Sequence, residues 1–186
     1  MKDLSLHILD IMQNSVEAGA QEIRLTVRVD RTQDDLMIEI VDDGKGMDEA
    51  LLATVTDAFT TSRTSRKVGL GLPLFKMTAE MTGGSLHIDS EPGQGTRVTA
   101  HYGYNHIDRP PLGKVWDSII SFLAGVSSVE LVFELDVVDR KFTFSTVEVK
   151  EILENDEFYR YPKILNELKE YLRTNISETF GGDVSG

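Results

Sequence analysis

Apolar residues recur along this chain with two periods, and the changes from one to the other lay out its elements. Leu4, Ile8, Ile11 and Met12 stand at helical spacing and Gly19 offers a left-handed stop, which predicts a helix over residues 3–18. At about 100° per residue, Asp3, His7, Asp10, Asn14 and Glu17 fall on one narrow polar face opposite that stripe. EIRLTVRV (22–29) and DLMIEIVD (35–42) alternate as half-buried strands do, and the polar stretch between them predicts a hairpin. DDGKGM (42–47) reads as a glycine turn, 48–54 as a short helix, and TDAFTTSRTSRK (56–67) as a polar loop without either period. VGLGLPLFKMTAEMTGG (68–84) opens on two glycines, carries Pro73 in a first helical turn and ends on paired glycines, as a helix should. SLHIDS (85–90) and TRVTAHY (96–102) flank the turn EPGQG and predict a second hairpin.

Consecutive prolines in DRPPLG (108–113) stiffen the chain and exclude helix, so the reading places one unit at 1–107 and a second at 112–180. The second unit reads as a helix (114–124), a hairpin from 129–138 and 141–149, and helices near 148–155 and 163–175, with Pro162 suited to the start of the last. Neither an internal repeat nor a heptad pattern is visible.

Composition narrows the function classes. The 186 residues carry 31 acidic against 19 basic side chains, a formal net charge of -12, which repels phosphate backbones and anionic membrane surfaces. Neither nucleic acid nor a membrane is expected as a partner. The absence of cysteine excludes a disulfide framework, a thiolate zinc site and a cysteine nucleophile. The opening residues lack the basic-then-apolar order of a secretory signal, and no apolar run approaches the roughly 18–20 residues that span a bilayer, so a cytoplasmic location is expected.

Four elements arrive in a telling order: a polar-faced helix with Asp10 and Asn14, the turn DDGKGM, the loop DAFTTSRT and the glycine pair of VGLGL. Together they resemble the N box, first glycine box, F box and second glycine box of the superfamily uniting gyrase, heat-shock chaperones, histidine kinases and mismatch-repair ATPases. The resemblance covers about residues 4–102, and its specificity lies in the ordered combination rather than in any single piece. It implies an α/β two-layer sandwich, the Bergerat fold, with a small C-terminal α/β extension, and it implies ATP and magnesium as ligands.

Residue by residue, the superfamily gives Asn14 the magnesium, and a side-chain carbonyl facing the phosphates can complete an otherwise watery shell. A solvated amide is the alternative. Asp10, one turn earlier, takes the place of the group that orients or deprotonates the attacking nucleophile. Superfamily ATPases usually carry Glu there and many histidine kinases Asn, so a surface carboxylate stays open beside the catalytic role. In D-x-G-x-G the pattern selects Asp42 rather than Asp43 as acceptor for the adenine amino group. Gly44 and Gly46 let the backbone near the base, with Met47 beside them, and Thr96 resembles the threonine that reaches adenine through water. Phe59 is the F-box phenylalanine; Arg63, Arg66 and Lys67 form a basic cluster that either faces phosphate or serves solubility. Gly69, Leu70, Gly71 and Leu72 complete the second glycine box, whose amides and following helix can hold phosphate without the lysine of a P-loop.

A histidine-kinase acceptor lies on a dimerising helix upstream, and no such helix precedes residue 3 in this sequence. His7 reads as a surface side chain rather than an acceptor, and His87, His101 and His106 show no ligand spacing. The leading expectation is therefore a stand-alone kinase-like ATPase, similar to anti-sigma-factor serine kinases, acting on a separate protein by phosphoryl transfer or sequestration. A non-catalytic nucleotide-gated regulator is the second reading, and a dimerising ATPase clamp the third. The C-terminal region extends the sheet, forms a dimer surface or docks a partner; the sequence does not choose.

Overall fold

Residues 3–56, 71–126 and 129–182 are described by the structure, a computed structural model. Phe59, Arg63, Arg66, Lys67, Gly69 and Leu70 lie outside them.

Helix α1 (Leu4–Glu17) starts where Asp3 accepts from the Leu6 amide, an N-cap satisfying one of the donors a helix start leaves open. Strands β1 (Glu22–Asp30) and β2 (Asp35–Asp42) pair antiparallel as the alternation predicts. After the short α2 (Glu49–Leu52) come α3 (Gly71–Met81) and the hairpin of β3 (Ser85–Glu91) and β4 (Gly95–Gly103). The C-terminal part adds α4 (Val115–Gly125), β5 (Glu130–Val137), β6 (Arg140–Ser145), α5 (Thr146–Leu153), a 3-10 turn at Phe158–Arg160 and α6 (Pro162–Phe180).

The strands form one six-stranded sheet in the order β3-β4-β2-β1-β5-β6, antiparallel except where β5 runs parallel to β1. One face is polar: Arg24 reaches Glu134 at 2.7 Å and Arg97 reaches Glu39 at 2.9 Å across neighbouring strands. Ile23, Leu25, Val27 and Val29 bury the other face against residues of α1, α3, α4 and α6 in a single core. This is the two-layer α/β sandwich of the Bergerat fold. The C-terminal hairpin extends the sheet at its β1 edge. The proline segment folds back on α1, the Leu4 amide donating to the Pro111 carbonyl and the Ser5 amide to that of Leu112, both at 2.9 Å.

Two boundaries differ from the periodicity. The strand expected through 149 stops at Ser145, because the Thr146 hydroxyl turns back to hydrogen-bond the Leu131 amide and the Glu130 carboxylate, starting α5. The last helix continues to Phe180 and is ended by Gly181, since Leu172 and Ile176 carry its apolar stripe beyond the expected end.

Glu130 also takes a charged hydrogen bond from Lys150. Burial alone would push this carboxyl up, but the bonds from Lys150 and Thr146 outweigh it and hold the group below its ordinary value of 4.5. The sign follows: a carboxyl depressed by folding stabilises above its unfolded pKa, and that contribution disappears as pH falls through the folded value. Glu130→Gln should therefore lower the denaturant midpoint at pH 7, and the gap to the parent chain should shrink below pH 4.5. Urea titrations at the two pH values check this.

Candidate functional site

Asp42 ends β2 beneath α1 and is buried, at 8% exposure. Its Oδ2 accepts from the Ser15 hydroxyl at 2.6 Å and its Oδ1 from the Gly44 amide at 2.9 Å. A carboxylate offers about four lone-pair positions, so both oxygens keep capacity for a further donor. Thr96 stands opposite Asp42 in the β2–β4 register, and its hydroxyl lies 2.9 Å from that of Ser90. Ser90 in turn accepts from the Met47 amide at 2.9 Å, which ties the turn after β2 to the β3 edge. Neighbouring Asp43 does different work: its Oδ1 accepts from the Glu22 and Gln21 amides at 2.9 and 2.7 Å, bonds that hold its carboxyl below the ordinary range and fix the start of β1.

Gly46 and Gly95 make this junction possible. At Gly46 (φ 65°) a Cβ would lie 1.9 Å from the Glu91 carbonyl oxygen, and at Gly95 (φ 88°) 1.9 Å from that of Asp42. Gly44 is buried, with the Ala18 methyl 3.0 Å from where its Cβ would be. Met47 is half-buried beside it.

Asp10 and Asn14 lie within about one and a half turns before Ser15 on α1, so Asp10 to Ser15 spans about 7.5 Å of helix axis. Asp10 is exposed, Asn14 half-buried, and among the described residues neither head group has a hydrogen-bond partner. Gly71 opens α3 against α1: a Cβ there would come within 3.2 Å of the Asp10 Cβ. Leu72 is buried in the core, an anchor for the start of α3 rather than an exposed contact. Gly71 thus meets α1 at Asp10, Asn14 follows one turn on along the same polar face, and Ser15 next to it on the buried face reaches Asp42.

The uniform polar face expected of α1 is corrected at His7, which is 5% exposed. Its ring centroid lies 6.0 Å from that of Phe75 on α3, because α3 packs over that part of the helix. Ser15 and Ser90 went unnoticed in the sequence. The signal for Ser15 was a serine continuing the stripe of Leu4, Ile8, Ile11 and Met12, a buried polar side chain that needs a partner.

Residues 2–105 match the model of the family described as histidine kinase-, DNA gyrase B-, and HSP90-like ATPase. The chain belongs to this family. It is 35% identical over 92 residues to sporulation kinase D of Bacillus subtilis, a match covering 50% of this chain and 18% of that protein. With sensor protein kinase FleS of Pseudomonas aeruginosa it shares 37% over 92 residues, 50% of this chain and 23% of the relative. The chain therefore spans less than a quarter of either kinase. A crystal structure of the N-terminal domain of a DNA repair protein superposes with a TM-score of 0.54 at 13% identity, over 78% of this chain and 53% of that one, and shows the shared fold. Family membership makes the N-terminal part a histidine-kinase-like ATP-binding domain. Among the described residues no helix is long and apolar enough to cross a membrane.

Proposed function

We propose that this chain binds magnesium-ATP between Asp42 and Gly71 and passes phosphate, or a nucleotide-dependent grip, to a separate protein. The observation that carries the reading is the Asp42 carboxyl, buried, fixed by two neutral donors and still able to accept. The amino group of adenine supplies such a donor, and burial without one costs free energy, which favours a base that can offset it. Gly44, Gly46 and Met47 would line the approach to the base, with Thr96 and Ser90 as hydroxyl partners. Asn14 would hold the magnesium ion, whose charge would draw together the phosphate oxygens. Gly71 lets the start of α3 approach α1 closely at Asp10, where its amide would face the phosphates, and Arg63, Arg66, Lys67, Phe59, Gly69 and Leu70 belong to the same proposal on their order in the sequence.

In the kinase form, Asp10 accepts the proton of the attacking hydroxyl or water. Its exposed carboxylate has no orienting partner among the described residues, and this favours a second reading in which ATP is bound without turnover and gates a partner's affinity. Calorimetry with magnesium-ATP and magnesium-GTP, followed by steady-state phosphate release, tests both. Heat with ATP and much less with GTP is expected; equal heats, or none, would overturn the site. Steady release of phosphate that Asp10→Asn abolishes would eliminate the gated reading, and ATP binding with neither release nor transfer of labelled phosphate to added candidate partner proteins would eliminate the kinase form.

A further inference from the structure

Over Phe144 of β6, helices α5 and α6 leave a cleft of about 320 Å³ between them. Val149 and Ile152 form one wall, Ile164, Leu168 and Tyr171 the other. Ile152 is 79% exposed, Tyr171 50% and the adjoining Leu153 40%. Scattered apolar side chains on a surface are ordinary, but apolar residues gathered in one concave place mark a surface that another molecule covers.

The charges say what kind of molecule. Each wall carries a glutamate, Glu148 on α5 and Glu167 on α6, and among the described residues neither is paired with a cation. The cations of these helices are mostly committed elsewhere: Lys150 to Glu130, Lys169 to Asp117 and Arg173 to Glu170. Lys163 is exposed and does not line the cleft. Apolar walls with an unneutralised carboxylate on either side fit a segment that presents apolar side chains on one stripe and Lys or Arg beside it. A second copy of a chain of net charge -12 would instead add to the negative charge there.

We propose that the α5–α6 cleft docks a short basic amphipathic helix of a partner protein, its apolar stripe seated on Ile152, Leu168 and Tyr171 and its cations on Glu148 and Glu167. The inference does not rest on the nucleotide site, and its test contains no nucleotide. Isotope-labelled full-length chain is titrated with three synthetic helical peptides of equal length and identical leucine stripe, whose polar faces are all Lys, all Gln or all Glu. The Lys peptide is expected to bind about tenfold more tightly than the Gln peptide and to shift the amide signals of Phe144, Ile152 and Leu168. Glu148→Gln with Glu167→Gln should make the Lys and Gln peptides equal. Ile152→Glu decides between docking and general attraction of a basic peptide to an acidic protein. Docking predicts that it weakens the Lys peptide about tenfold, whereas general attraction predicts no loss or a gain. Equal affinity for all three peptides, shifts spread over the acidic surface, or cleft signals that move with the concentration of the chain alone would each overturn the proposal, the last in favour of a second copy.

Discussion

Asp42→Asn should weaken magnesium-ATP binding at least about a hundredfold while the chain stays folded. The fold tolerates the change because Ser15 can reverse its part. In the parent chain its hydroxyl donates to Asp42 Oδ2 at 2.6 Å and lies 3.3 Å from the Ile11 carbonyl. With an amide at position 42, Nδ2 donates to the serine oxygen, the serine proton turns to Ile11, and the amide oxygen still accepts from Gly44. Adenine has no such freedom. In the proposed site the amino group bonds the Oδ2 side, beside Ser15, so in the variant it meets the Nδ2 donor where it needs an acceptor, losing a hydrogen bond to a charged partner worth about 1.5–3 kcal/mol and leaving a buried donor unsatisfied at about 1–3 kcal/mol more. At about 1.4 kcal/mol per decade the sum, about 2.5–6 kcal/mol, corresponds to about two to four decades. Ser15→Ala removes only one neighbour of Asp42 and should weaken binding about tenfold. Calorimetry on the three chains, with thermal melts to verify folding, measures both effects. An Asp42→Asn affinity within about threefold of the parent would mean that adenine is read elsewhere.

How far the sequence reaches is clearest along α1. Its apolar stripe predicted the helix and its buried residues, because Leu4, Ile8, Ile11 and Met12 meet the sheet in the way 3.6-residue spacing demands. The strands of the first hairpin were equally plain, with β2 at the expected Asp35–Asp42. Periodicity describes one element against an average core, however, and cannot see a neighbour that arrives from elsewhere. His7 looked solvated because the helical wheel does not contain α3, and Phe75 covers it. Ser15 went unnoticed because its partner stands 27 residues away on strand β2. The parallel pairing of β1 with β5 joins residues more than a hundred positions apart, and nothing in either strand's alternation specifies it. The ordered boxes compensated for part of this, singling out Asn14, Asp42 and Gly71, which the fold gathers around α1, through resemblance rather than through local pattern. They are silent on α5 and α6, where only the exposed Ile152 and the open cleft speak.

Gly46→Ala should destabilise the chain far more than Gly93→Ala, although both glycines have positive φ, 65° and 79°. Left-handed backbone alone costs an alanine about 1–2 kcal/mol, and Gly93, where an added methyl group would meet nothing within 4 Å, should lose no more than that. At Gly46 the methyl group would lie 1.9 Å from the Glu91 carbonyl oxygen and 2.7 Å from its carbon, both backbone atoms that no rotamer can move. Relief requires the two turns to part, which breaks the bond from the Gly93 amide to the Lys45 carbonyl at 2.7 Å and the one from the Met47 amide to Ser90 at 2.9 Å. Strain plus two hydrogen bonds comes to about 3–4 kcal/mol, or a melting temperature lowered by roughly 6–16 °C in a domain of this size. Thermal melts of the parent and both variants measure the difference. Because Ser90 also holds Thr96, the same displacement should loosen the hydroxyl pair beside Asp42, so nucleotide affinity should fall in Gly46→Ala and stay near the parent value in Gly93→Ala. Equal melting temperatures for the two variants would mean that the β3–β4 turn yields freely, and that the site is not held by contact between its two glycine turns.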